Sequence, residues 1–151
     1  MNINKLSELL YKNFKNGLQL SENIPIVDQY NETDYKLYIN PPKIGQYNRT
    51  LVTSNDYFDI YIITWQPNSK TPIHDHASQG CILKLLQGNL TETVYDCSLE
   101  IKKVKNVYEN MISFITNNIG YHLIENNSID MAVSIHVYSP SNYKANIYNI
   151  K

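Results

Sequence analysis

An antiparallel β-barrel or jelly roll, with helix confined to the N-terminus, is the mainly β fold that this 151-residue chain predicts. Three observations carry the expectation. From about residue 47, short runs rich in Ile, Val, Tyr and Thr recur between turn residues. Residues 4–15 carry their apolar positions near helical spacing. No internal repeat and no linker divides the chain, so residues 1–151 read as one domain with a helical part over 1–40 and a barrel over 45–151.

The elements follow in order. Leu6, Leu9, Leu10 and Phe14 form one stripe of an amphipathic helix, and Gly17 falls where its C-terminal cap belongs. Ser21 is placed to cap a second helix, and Pro41-Pro42 breaks whatever precedes it. Eight strands are expected in NRTLVTS, FDIYIITW, CILKLLQ, LTETVYDC, EIKKVKNVY, MISFIT, YHLIE and MAVSIHVY. Gly88-Asn89, between the third and fourth runs, is a two-residue hairpin signal.

Composition narrows the function. Net charge is −1 and no basic run exceeds two residues, which argues against nucleic acid or an anionic membrane as partner. No apolar stretch approaches the roughly 20 residues of a spanning helix, and the first residues lack the apolar core of a signal peptide. A soluble, cytoplasmic protein is expected. Cys81 and Cys97 are then expected as free thiols.

The four histidines are the most informative residues. His74 and His76 form His-x-His in PIHDHASQGC, His122 follows in IGYHLIEN, and His136 in AVSIHVYSP. Residues two apart on a strand share a face, so His74 and His76 point the same way, and His122 can complete a facial set around a metal. Imidazole suits iron, zinc, copper and nickel. Asp75, between them, should point away and orient the turn. Among 13 basic residues the only arginine is Arg49. A planar guanidinium grips a carboxylate through two parallel hydrogen bonds, which lysine cannot reproduce. Tyr47 lies two residues away on the same face. In the last strand Ser134, His136 and Tyr138 alternate with Val133, Ile135 and Val137, giving one polar and one apolar face. Trp65 and Leu85 read as core.

After HDH come four residues, Cys81, six residues and Gly88; GYHLIEN then supplies Gly120, His122 and Asn126. This spacing resembles the two motifs of the cupin superfamily, with Cys81 where a glutamate ligand usually stands and Asn118 where a proline usually stands. More narrowly, WQPNSKTPIHDHASQGCILKLLQGNLTETVY is similar to the central segment of thiol dioxygenases, cysteine dioxygenase above all. The similarity runs on through IGYHLIEN and AVSIHVYSP and back to QYNRTLV, covering roughly residues 45–141.

The resemblance implies a cupin-type barrel holding Fe(2+) on His74, His76 and His122. It implies oxidation of L-cysteine by dioxygen to cysteine sulfinic acid, a step of cysteine catabolism, in a monomer. Arg49 and Tyr47 would bind the substrate. Ser134, His136 and Tyr138 would form a relay, and Cys81 would be joined to Tyr138 by a thioether. It also implies a cis Ser139-Pro140 bond. Three neutral ligands leave a ferrous ion its full charge, which favours a thiolate. The chain departs from the family after the relay. It reads Ser139-Pro140-Ser141, ends at Lys151, and has Ala145 about where the family carries a cysteine near the substrate, so affinity and selectivity are expected to differ. Two alternatives stand beside L-cysteine. One is 3-mercaptopropionate, which keeps the carboxylate and thiol. The other is a non-catalytic metal-binding cupin acting as a thiol or redox sensor.

Overall fold

Helix α1 (Ile3–Lys15) opens the chain, and the computed structural model describes residues 1–150. Asn2 accepts the Lys5 amide at the N-terminus of α1. At its other end Gly17, at φ +91, lets the amides of Gly17 and Leu18 reach back to the carbonyls of Phe14 and Asn13, so the expected glycine stop is realised. Ser21 caps nothing: it lies inside a 3₁₀ turn, Leu20–Asn23, that runs into the short helix α2 (Ile24–Asp28). Pro25 in the first turn of α2 needs no donor there, which lets the helix start without the serine.

The eight expected strands form, and two short ones join them. In order they are β1 (Tyr47–Ser54), β2 (Asp59–Trp65), β3 (Ile73–His74), β4 (Gly80–Gln87), β5 (Leu90–Tyr95), β6 (Ile101–Val107), β7 (Ile112–Ile115), β8 (Tyr121–Glu125), β9 (Ala132–Ser139) and β10 (Ile147–Tyr148). They build two five-stranded antiparallel sheets, β1-β2-β9-β4-β7 and β10-β3-β8-β5-β6. The added strands β3 and β10 are only two residues long, too short to leave an alternating pattern.

Gly88-Asn89 does not make a hairpin. β4 and β5 lie in different sheets, so this turn carries the chain around a corner of the barrel. Gly88 sits at φ +83, and a Cβ there would stand 3.0 Å from Ala132. The turn is there, but the strands it joins pair elsewhere: β4 with β9 and β7, and β5 with β6 and β8.

The alternation of β9 decides the packing. Val133, Ile135 and Val137 face outward with Ile60, Ile62 and Ile82, and α1 and α2 cover them with Leu6, Leu10, Phe14 and Val27. Burying each such Ile or Leu contributes about 1.5–3 kcal/mol. Lys84 shares this face, and its ammonium is satisfied by the carbonyls of Asp28 and Tyr30 at the end of α2. The helices thus press the β9 sheet from outside. The other face of β9, with Ser134, His136 and Tyr138, must look into the barrel. There Ile63, Trp65, Leu83, Leu85 and Ile124 fill one end and leave the other open.

Candidate metal centre and substrate cavity

Strand β3 sets His74 opposite His122 of β8, and His76 follows on the loop after β3. The amide of His76 donates to Asn117 Oδ1 and its carbonyl accepts from Asn117 Nδ2, a two-pronged tether to the turn before β8. One ligand atom from each of His74, His76 and His122 lies within 4.8 Å of the others. No carboxylate joins this group among the described residues, and Cys81 stays outside it.

Proton positions follow from the partners. His74 Nδ1 lies 2.9 Å from the Pro72 carbonyl, which only accepts, so Nδ1 carries the proton. His122 Nδ1 lies 2.6 Å from the Glu92 carboxylate, which fixes the same tautomer. The two Nε2 atoms therefore face each other with lone pairs, 3.0 Å apart. That is close to the separation of two nitrogens at right angles on one ion with bonds of about 2.1 Å. Both ring nitrogens of His76 are buried without a hydrogen-bond partner. A buried imidazole without partners is costly in a chain alone and natural for a metal ligand. Burial, with the neighbouring His122 adding to it, lowers His74 to about 4 and His76 to about 3, so both are neutral and ligand-ready at pH 7. The donor set, three imidazoles and no thiolate, fits ferrous iron.

Glu92 was missed in the sequence. Burial pushes its carboxyl up, but the His122 hydrogen bond, the Ser113 hydroxyl and the Lys105 ammonium outweigh this and bring it to about 2. The signal was there: Leu90, Glu92 and Val94 share a face of β5, and a charge between two buried aliphatics needs a reason.

Across the cavity stands the β9 trio. Trp65 Nε1–H donates to Ser134 Oγ at 2.9 Å, Ser134 Oγ lies 2.8 Å from His136 Nε2, and His136 Nδ1 lies 3.1 Å from Tyr138 Oη. Ser134 is fully buried, so its own proton is satisfied only by donating to His136 Nε2. His136 Nδ1–H then donates to Tyr138 Oη, and the phenol proton is free for the cavity. Trp65 is core, as expected, but it also anchors this chain. Burial lowers His136, and burial together with the Cys81 thiol beside it raises Tyr138, so both are neutral. Cys81 and Tyr138 are direct partners in the β4–β9 register, and Cys81 Sγ lies 3.7 Å from His136 Nδ1. Burial, then the charge of Glu92, raises the thiol. Both cysteines are free, Cys81 buried and Cys97 exposed.

His74, His76, His122, His136 and Tyr138 line one cavity of about 600 Å³, with Tyr47 and Arg49 on its β1 wall and residues 142–145 and Ile147 at its rim. Tyr47 stacks on Trp65 at 5.1 Å. Asp75 turns toward the rim: its carboxylate accepts from the Asn146 amide, Asn146 Nδ2, Tyr143 Oη and Tyr148 Oη. The turn-orienting role expected of it extends to holding the last segment, where β10 pairs Ile147 with His74. Ser139-Pro140 is cis, as the resemblance implied.

Comparison with known proteins agrees with this geometry. The family model for cysteine dioxygenase type I matches residues 2–151. The chain belongs to the cysteine dioxygenase type I family. A curated relative, cysteine dioxygenase type 1 of Rattus norvegicus, is 42% identical over 103 residues, which is 63% of this chain and 52% of the relative. The chain thus spans about half the length of the curated relatives it matches. Among solved structures, a protein from Klebsiella pneumoniae with a double-stranded β-helix domain superposes with TM-score 0.66 at 13% identity, covering 79% of this chain and 92% of that one. A cupin family protein from Methanocaldococcus jannaschii gives TM-score 0.54 at 19% identity, over 68% and 88% of the two chains. Both are likenesses of fold, and the fold of this family member is a cupin barrel. Among the described residues no helix is long and apolar enough to cross a membrane.

Proposed function

We propose that this cysteine dioxygenase family member is an iron-dependent thiol dioxygenase that oxidises L-cysteine with dioxygen to cysteine sulfinic acid. The observation that carries the reading is a cluster of three imidazoles that no carboxylate joins among the described residues, in a cavity whose opposite wall supplies one guanidinium. His74, His76 and His122 would hold Fe(2+), whose chemistry when bound is to favour the thiolate form of a substrate and to bind dioxygen. The three ligands, being neutral, cancel none of the ion's charge. In the net reaction the thiol loses its proton to solvent, and sulfur gains both atoms of dioxygen.

The protein's own groups position the substrate. Arg49 receives its carboxylate through paired N–H donors, flanked by Tyr47. Tyr138 offers its hydroxyl proton toward the bound substrate, because His136 already donates to its oxygen. Trp65 and Ser134 hold His136 in the required tautomer. Burial keeps the phenol protonated at neutral pH, so it acts as a donor.

Cys81 and Tyr138 are the proposed partners of a thioether cross-link. A thiol S–H and a ring C–H are lost, a C–S bond forms, and dioxygen takes up the two electrons and two protons. Residues 1–151 would act as one cupin domain, a cytoplasmic monomer whose partners are a small thiol and dioxygen, without nucleic acid or membrane. Two free cysteines fit a reducing compartment.

Oxygen uptake by iron-loaded protein tests the reading, with L-cysteine, 3-mercaptopropionate and cysteamine supplied separately and sulfinate quantified. Stoichiometric cysteine sulfinate is expected. Turnover of 3-mercaptopropionate alone would move the substrate, and no uptake with any thiol at full iron occupancy would overturn the enzyme in favour of a metal-binding sensor. Arg49→Ala should raise KM for L-cysteine about 10- to 100-fold, the worth of a hydrogen bond to a charged group.

A further inference from the structure

Tyr61 has no assigned part in the site, yet it lies at its centre. In the β1–β2 register Leu51 pairs with Tyr61 and Ile63 with Arg49, so Tyr61 is the diagonal neighbour of Arg49 on the inward face. On the other side, β2–β9 pairing sets Tyr61 opposite His136 and diagonal to Tyr138. The guanidinium carbon of Arg49 stands over the Tyr61 ring at 4.2 Å from its centroid, and at 5.4 Å from that of Tyr138. The two tyrosine rings meet edge to face, 5.8 Å apart at 81°.

Arg49 has no ion pair among the described residues. The nearest candidate on the same face of β2, Asp59, is already occupied by the Ser54 hydroxyl and the Asn142 amide. The guanidinium is therefore held by ring faces and not by a carboxylate. A guanidinium carries all its donors in its own plane. Seated over the Tyr61 ring and beside the Tyr138 hydroxyl, it has no carboxylate partner among the described residues and can take an incoming anion.

We infer that Tyr61 is a specificity-determining positioning residue: its ring seats the Arg49 guanidinium and thereby sets where a substrate carboxylate docks relative to Tyr138. The inference rests on the thiol dioxygenase reading for its substrate. The ring matters and the hydroxyl does not, because the contact is to the ring face. Losing the seat removes a cation–π contact, about two- to fivefold in affinity at an accessible site, together with the fixed direction of the donors.

The test compares Tyr61→Leu with Tyr61→Phe. Tyr61→Leu should raise KM for L-cysteine and for 3-mercaptopropionate about fivefold, with kcat changed less than about twofold, while cysteamine, which has no carboxylate, is unaffected. Tyr61→Phe should restore the parent values. Equal weakening of cysteamine and the carboxylates, or a Phe variant as poor as the Leu variant, overturns the inference. Calorimetry of anaerobic 3-mercaptopropionate binding reads the same difference without turnover, so an inactive parent protein with the expected difference in Kd would sink the enzyme reading and leave the seat standing. The unsubstituted protein gives a reading independent of any variant. The Arg49 Nε–H proton should be shifted upfield by the Tyr61 ring current in the NMR spectrum, and a random-coil position overturns the seat.

Discussion

Glu92 and His122 are joined by a 2.6 Å hydrogen bond between a buried carboxylate and the Nδ1 of an imidazole whose Nε2 faces His74 Nε2. The second carboxylate oxygen is held by the Ser113 hydroxyl at 2.7 Å and the Lys105 ammonium at 3.1 Å. This arrangement fixes the tautomer and the ring orientation before any metal arrives, and makes the imidazole a stronger donor.

Glu92→Gln should therefore weaken ferrous or cobaltous binding about 10- to 100-fold while the barrel stays folded. Competition against a chelator of known affinity measures it. An unchanged Kd would show that His122 is oriented by its strand alone.

The opposition of Cys81 and Tyr138 across β4 and β9 makes the cross-link checkable by mass. Protein turned over with L-cysteine and iron should split into two bands on a denaturing gel. The faster band should be lighter than the sequence by two hydrogens. Cys81→Ala and Tyr138→Phe should each give one band of full mass. A single unmodified species from the parent protein after many turnovers would remove the thioether.

Acid should destabilise the metal-free protein through its histidines. His76 stands near 3 and His74 near 4 in the folded chain, chiefly because burial disfavours their charge. In the unfolded chain they titrate near 6.5. Between these values the unfolded chain binds more protons, so stability falls as pH drops below about 6.5 and is flat above it as far as these groups are concerned. Glu92, held at about 2 against an ordinary 4.5, adds a further loss below about pH 4.5. Urea midpoints of metal-free protein from pH 8 to pH 4 measure the slope, and a midpoint that does not move over that range would contradict buried, neutral imidazoles.

Asp75 ties the rim to the end of the strand that carries His74, accepting four hydrogen bonds from Tyr143, Asn146 and Tyr148. Asp75→Ala should cost roughly 2 kcal/mol, because the lost bonds run to a charged acceptor while the freed hydroxyls can find water. Hydrogen exchange at the Asn146 amide should accelerate more than exchange in β9. Uniform acceleration throughout the barrel would mean that Asp75 supports the whole fold and not the rim.

The sequence by itself determined the strands, the first helix and which side chains make up the candidate site. Alternation in MAVSIHVY separates an apolar from a polar face, and the spacing of His74, His76, His122 and Arg49 carries the family's pattern. These are local or periodic signals, legible because one side chain every second residue meets one environment. Tertiary structure decided what depends on partners distant in the chain. Gly88-Asn89 reads as a hairpin, yet it turns a barrel corner, because β4 pairs with β9 and β7 in one sheet and β5 with β6 and β8 in the other. Glu92 and Tyr61 look like ordinary strand residues until β8 brings His122 to the first and β1 brings Arg49 to the second. Ser134 could have faced solvent; α1 and α2 cover the opposite face of β9, which leaves the serine, His136 and Tyr138 facing the barrel interior.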